Sequence, residues 1–189
     1  RMPPSSGDTE TNNVLFVGNY NFVPNREAAI YIAQTLAPSL PEANFLMVGA
    51  DPPGEVLQEE NVSMTGYVRD LQSILETAAV CIAPLTHGSG TRLKILTYLA
   101  GGKAVVATTK ASEGLDVRDD VHVLIRDDDE GFVSAIRSLL SDPDLRRRLG
   151  AEGRKLVEAK YDWRVYVPWA EDFAAEIQES ARAPRTSRL

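Results

Sequence analysis

Residues Pro84 to Thr109 read PLTHGSGTRLKILTYLAGGKAVVATT: a glycine-bearing loop, an amphipathic helix, a glycine stop and an apolar strand. Gly88 and Gly90 flank Ser89, and Thr91 and Arg92 follow at once. A helix opening at Thr91 points its unpaired backbone N–H groups back into the loop. With the positive end of the helix dipole, those donors form an anion site. Arg92 and Lys94 add two mobile cations beside it. Leu93, Leu96 and Ala100 share one helical face, the expected core side, and Gly101-Gly102 end the helix. Ala104 to Thr108 suits a buried parallel strand. A phosphate or diphosphate site at the carboxyl end of a parallel sheet is therefore expected.

Working outward, Val14 to Val17 and Phe45 to Val48 are apolar runs ended by Gly18 and Gly49. Val62 to Thr65 ends at Gly66, Val80 to Ala83 leads into the glycine loop, and His122 to Ile125 is a sixth strand. Helical patterns separate them. Asn25 is expected to cap a helix with Glu27 in its first turn, a core face of Ala29, Ile32, Ala33 and Leu36, and a stop at Pro38 and Pro41. A short helix is expected at Glu55 to Glu59, and Asp70 caps another that runs to Ala78. Ala111 to Asp120 reads as a polar loop. Asp129 is expected to cap a helix built on Phe132, Ile136, Leu139 and Leu140. Pro143 starts the next, with a break at Gly150 or Gly153, and a last helical region runs from Trp163 toward Glu179 with a kink at Pro168.

Strands alternating with helices predict an α/β fold: a doubly wound, Rossmann-like, parallel six-stranded sheet of order 3-2-1-4-5-6. Its cleft lies between strands one and four, where the winding reverses, so Gly18-Asn19-Tyr20 and the loop up to Arg92 open on one crevice. Residues 14–181 form this domain. The polar start, 1–13, reads as a linker, and 182–189 as a frayed basic tail.

The 189 residues carry a formal charge of −7, the opposite of the balance a nucleic-acid-binding protein shows. Arg146, Arg147 and Arg148 share a helix with acidic neighbours and read as a solvated face. The single cysteine, Cys81, sits in an apolar strand and reads as a buried thiol. No Cys/His spacing suggests a metal, and Asp127-Asp128-Asp129 is explained by capping, so no metal and no resident cofactor is expected. No apolar run reaches the ~18 residues of a membrane span, and no signal peptide is visible. A cytoplasmic location in a reducing compartment is the expectation.

The ordered set Gly88-Ser89-Gly90-Thr91-Arg92-Leu93-Lys94-Ile95-Leu96, Gly102 to Thr109 and Ser112-Glu113-Gly114-Leu115 resembles the donor half of the family-4 retaining glycosyltransferases. Phe16-Val17-Gly18 with Pro24-Asn25 and Ala28, then Val48-Gly49, then Thr65-Gly66-Tyr67-Val68, resemble the earlier strands of that half. The resemblance implies a GT-B architecture of two Rossmann-like domains, of which this chain resembles the carboxy-terminal one. It implies a hexosyltransferase whose substrate is a nucleoside diphosphate sugar, working on glycan or polysaccharide synthesis. It further implies an amino-terminal acceptor domain as partner, inactivity of this half alone, and peripheral contact with the inner face of a membrane through that missing domain. Trp163 and Trp169 would pack where the last helix crosses back toward it.

The resemblance also assigns residues. Gly88, Ser89, Gly90 and Thr91 match the segment whose backbone meets the donor phosphates, and Arg92 and Lys94 fall where cations reach the diphosphate as catalytic groups. Gly18 and Asn19 match the first loop, and Gly66, Tyr67 and Val68 the turn beside the nucleobase. Thr97 stands where many members carry a glutamate that holds the ribose. It offers one hydrogen bond without charge, a loss of about 1.5–3 kcal/mol. The first loop lacks the family's arginine and lysine pair, and Arg26 is the nearest substitute. His87 reads equally as a donor contact or a loop residue without a role, Glu113 reads better as an exposed loop acid than as a cleft residue, and Tyr67 is more often a packing residue than a base-stacking one. A domain that has lost its donor and serves as a non-catalytic interaction module is the alternative.

Overall fold

The computed structural model describes residues 11–54, 60–88 and 92–162. Six parallel strands form one sheet in the order β3-β2-β1-β4-β5-β6, as the alternation of strands and helices requires. They are β1 (Asn13–Val17), β2 (Asn44–Val48), β3 (Val62–Met64), β4 (Val80–Ala83), β5 (Ala104–Ala107) and β6 (Leu124–Ile125). Strands β4 and β5 are buried along their whole length, which is why their sequences are apolar without alternation. The half-exposed β3 closes one edge.

The helices cover both faces. They are α1 (Val23–Tyr31), continued by a π-helical turn (Ile32–Leu36) into α2 (Ala37–Ser39), then α3 (Leu71–Thr77), α4 (Leu93–Ala100), α5 (Thr109–Ser112), α6 (Asp129–Ser141) and α7 (Pro143–Lys160). Asp70 caps α3 as expected, accepting from the Ser73 N–H. Other local expectations are corrected. Asn25 does not cap α1: the helix begins two residues earlier, with Pro24 in its first turn, and the N-cap Phe22 lends no side chain. Glu27 consequently lies past that turn. Asp128 rather than Asp129 caps α6, accepting from Gly131 N–H, while Asp129 takes the Tyr31 hydroxyl at 2.7 Å. Residues Thr109–Ser112 are helical, not loop, because the Thr108 hydroxyl caps them and Ala111 needs burial. Strand β6 starts at Leu124, since His122 is held in a turn by accepting the Arg118 N–H at its Nδ1.

Gly150 and Gly153 do not break α7, which runs unbroken for 18 residues. A Cβ at Gly150 would overlap the carbonyl of Gly102, and one at Gly153 would press on Leu99. These glycines let α7 lie directly against the end of α4. Helix α4 also turns a different face inward from the one its leucines suggest. Ile95, Tyr98 and Leu99 are buried, whereas Leu93 is 65% exposed. Two apolar stripes exist on this helix, and packing against β4 and α7 selects the one carrying the tyrosine. The expected helices at Glu55 to Glu59 and beyond Trp163 lie outside the described residues.

Candidate functional site

Strands β1 and β4 pair only through Val14–Val80 and Leu15–Cys81. Beyond that they separate, while β1 keeps its register with β2 through Val17–Val48. The opening is the reversal point of the sheet. Tyr98, from α4, fills its floor: its hydroxyl accepts the Val17 N–H at 2.8 Å and is fully buried. A backbone donor that lost its strand partner is thus satisfied by a side chain.

One helical turn before Tyr98, Lys94 points the same way. Its ammonium donates to Asn25 Oδ1 at 2.9 Å and lies 3.8 Å from the centroid of the buried Phe16 ring. It is therefore fixed, not the mobile cation the sequence suggests. Burial pushes its pKa down to about 7. Asn25 in turn donates from Nδ2 to the Asn19 carbonyl at 2.9 Å.

Lys94, Asn25 and Arg92 line a cavity of about 170 Å³, walled also by Phe22, Leu93 and Ile95 at the head of α4. The N-cap residue Arg92 lends no side chain to that helix, whose head faces the cavity. Arg92 occupies the N-cap position, and its side chain is only 10% exposed. One of its terminal nitrogens donates to Glu113 Oε2 at 3.1 Å and to the Gly88 carbonyl at 3.4 Å. Its Nε is buried and has no hydrogen-bond partner. An orphaned guanidinium donor on Arg92, with the Lys94 cation across the same cavity, suits an anion with several oxygens. Glu113 also takes Lys110 at 2.6 Å, and the Lys110 ammonium, ahead of Arg92, holds its carboxyl below the usual range.

A second hollow of about 370 Å³ lies over the carboxyl ends of β1 and β2. Gly18, Asn19, Gly49, Tyr67, Val68 and Leu71 line it, and Tyr67 is 78% exposed. Gly49 is glycine because a Cβ there would overlap the carbonyl oxygen of Gly18. Gly66, at φ +69°, accepts the Gly49 N–H at 3.0 Å and turns the chain toward Tyr67.

The structure thus brings Arg92 and Lys94 together at one hollow, and Gly18, Asn19, Tyr67 and Val68 at the other. The Asn25–Asn19 hydrogen bond links the two. Gly88 has φ +116°, and a Cβ there would lie 3.2 Å from Pro24. Ser89, Gly90 and Thr91 lie outside the described residues. Thr97 sits on α4 and lines neither hollow, nor does the exposed Arg26. His87 pairs with Glu27 at 3.3 Å. Among the described residues no group of three or more His, Cys, Asp or Glu could hold a metal ion. No described helix is long and apolar enough to cross a membrane.

Reading the sequence missed Asn25 as part of the site. Pro24 carried the signal: proline favours the first turn of a helix, which puts Asn25 inside that turn rather than at its cap.

A profile of the family described as glycosyl transferases group 1 matches residues 11–142. The chain belongs to this family. No curated protein matches it by sequence. Among solved structures it is similar to sucrose-phosphate synthase from Thermosynechococcus elongatus, at 21% identity and TM-score 0.73 over 92% of this chain and 47% of that one. It is similar to the carboxy-terminal domain of the group 1 glycosyl transferase LpcC from Francisella tularensis, at 16% identity and TM-score 0.63, covering 85% and 95%. Anabaena HepE in complex with UDP and glucose matches at 14% identity and TM-score 0.73, covering 88% and 48%. The chain thus spans about half the length of the first of these glycosyltransferase structures, as one half of a GT-B fold.

Proposed function

We propose that this group 1 glycosyltransferase domain binds the donor of a retaining sugar transfer and holds its diphosphate in the cavity between Arg92 and Lys94. The buried, unpartnered Arg92 Nε at the head of α4 carries this reading. As the sugar–oxygen bond breaks, negative charge grows on the leaving diphosphate. Fixed N–H donors and cations aimed at that charge lower the barrier without reorganising. Arg92 offers a planar fork and Lys94 a point charge. The chemistry asks for no metal and no resident cofactor. The hollow by Tyr67 and Val68 receives the nucleobase, with Gly18 and Asn19 between base and phosphate. Ser89, Gly90 and Thr91 complete the phosphate loop.

The acceptor is a glycan or polysaccharide precursor, and a second domain brings it, at a cytoplasmic site beside the membrane. HepE, a structural neighbour, is in complex with UDP, which makes uridine one of the bases to try. Calorimetric titration of the chain with UDP, GDP and ADP tests the reading. Weak binding of one of them is expected; no heat at millimolar ligand overturns it. Thr97 supports the second reading, a non-catalytic module with an eroded ribose site. Replacing Thr97→Glu separates the two: a large affinity gain marks erosion, and an unchanged affinity marks a rewired site.

A further inference from the structure

Asn25 is buried inside the first turn of α1, where an asparagine is costly unless both ends of its amide are used. Both are, and by different parts of the fold. Its oxygen accepts from Lys94 on α4, across the gap between β1 and β4, and its nitrogen donates to Asn19 in the first loop. Gly18 makes room for it: a Cβ at Gly18 would lie 2.8 Å from the Asn25 amide carbon. Phe16 on β1 also contacts the ammonium, its ring centroid 3.8 Å away. The amide therefore touches the first loop and the buried cation together.

We propose that Asn25 is a positioning residue for donor binding: it holds the Lys94 ammonium at the inner wall of the anion cavity and couples it to the loop over the nucleotide. This rests on the donor reading above. The asparagine is suited to the task because a neutral acceptor fixes the ammonium without cancelling the charge that the diphosphate must meet. An aspartate would hold it equally well and neutralise it.

The surroundings make this coupling readable by pH. Arg92 is the other charged residue lining the cavity, and no described carboxylate lines it. Tyr20, beside Phe16, and Tyr98, on the same helix, stay protonated because burial pushes their hydroxyls up. Glu27 of α1 pairs with His87, and Glu113 pairs with Arg92 and Lys110. Cys81 on β4 is buried, and its thiol is pushed up to about 12. Lys94 should therefore make donor affinity fall above pH about 7, where the free chain must take up a proton to bind. Below that pH the cation is charged in both states, and this dependence flattens.

The test is affinity for UDP-glucose, GDP-mannose and ADP-glucose from pH 5.5 to 9, in the wild-type chain and in Asn25→Leu, Asn25→Asp and Lys94→Met. The diesterified phosphates of these probes do not titrate in that range. Asn25→Leu should weaken binding about tenfold and move the alkaline limb about one pH unit lower. Asn25→Asp should move it higher, and Lys94→Met should abolish it. Asn25→Asp is nearly isosteric and keeps the test valid should the leucine variant fold poorly. A wild-type chain that binds no probe overturns the donor reading and this role with it. Binding whose alkaline limb is unmoved in both Asn25 variants overturns the role of Asn25 alone.

Discussion

Single residues at the mouth of the sheet are fixed by how closely backbones pass. The first loop lies against the turn after β2 so tightly that Gly49 leaves no space for a side chain beneath the Gly18 carbonyl. The obstacle is backbone, which cannot rotate aside as a side chain can. Gly49→Ala should therefore cost about 3 kcal/mol, read as a lower urea midpoint with an unchanged slope, and should displace Asn19 from the nucleotide hollow. Arg92 shows a different restriction. Its guanidinium is already engaged by Glu113, an exposed carboxylate that must share it with any incoming phosphate. Glu113→Gln should raise diphosphate affinity up to about fivefold, since exposed ion pairs are worth at most about 1 kcal/mol. Titration of the variant against wild type checks it. The type of each of these residues was legible in the sequence. That Lys94 is buried and held was not, because a lysine three positions into a helix looks like a surface charge until the partner strand is known.

At the scale of the element, α4 serves as both floor and wall of the site. Its Tyr98 hydroxyl completes the hydrogen bonding of β1 where β4 turns away. Tyr98→Phe keeps the ring and leaves the Val17 N–H buried without a partner. A loss of about 1–3 kcal/mol is expected, measured by thermal or denaturant unfolding, with weaker donor binding as the gap between β1 and β4 relaxes. Helix and strand existence was readable from periodicity and glycine stops, and the Asp70 cap was readable from its spacing. Which stripe of α4 faces inward was not. Leu93, Leu96 and Ala100 are as apolar as Ile95, Tyr98 and Leu99, so amphipathicity cannot choose between them. The close approach of α7 chooses. Gly150 and Gly153 allow it, and in sequence they look like a break.

For the whole molecule, the donors and cations gather at the carboxyl end of the central strands, where β1 and β4 part. On the proposed reading, that crevice binds the donor, and it has no opposing wall among the described residues. The chain by itself should therefore bind a nucleotide sugar yet transfer no sugar to any acceptor. A radiolabel transfer assay on the purified chain checks this, and measurable turnover would contradict the division of labour proposed above. The amino-acid sequence by itself determined the strand order and the place of the crevice. Apolar runs, glycine ends and the handedness of crossovers are local or topological constraints, and they leave few arrangements open. Only the tertiary structure decided which side chains meet in that crevice. Phe16, Asn25, Arg92 and Lys94 come from three elements whose rotation about their own axes is set by packing, and packing is a property of all the neighbours at once.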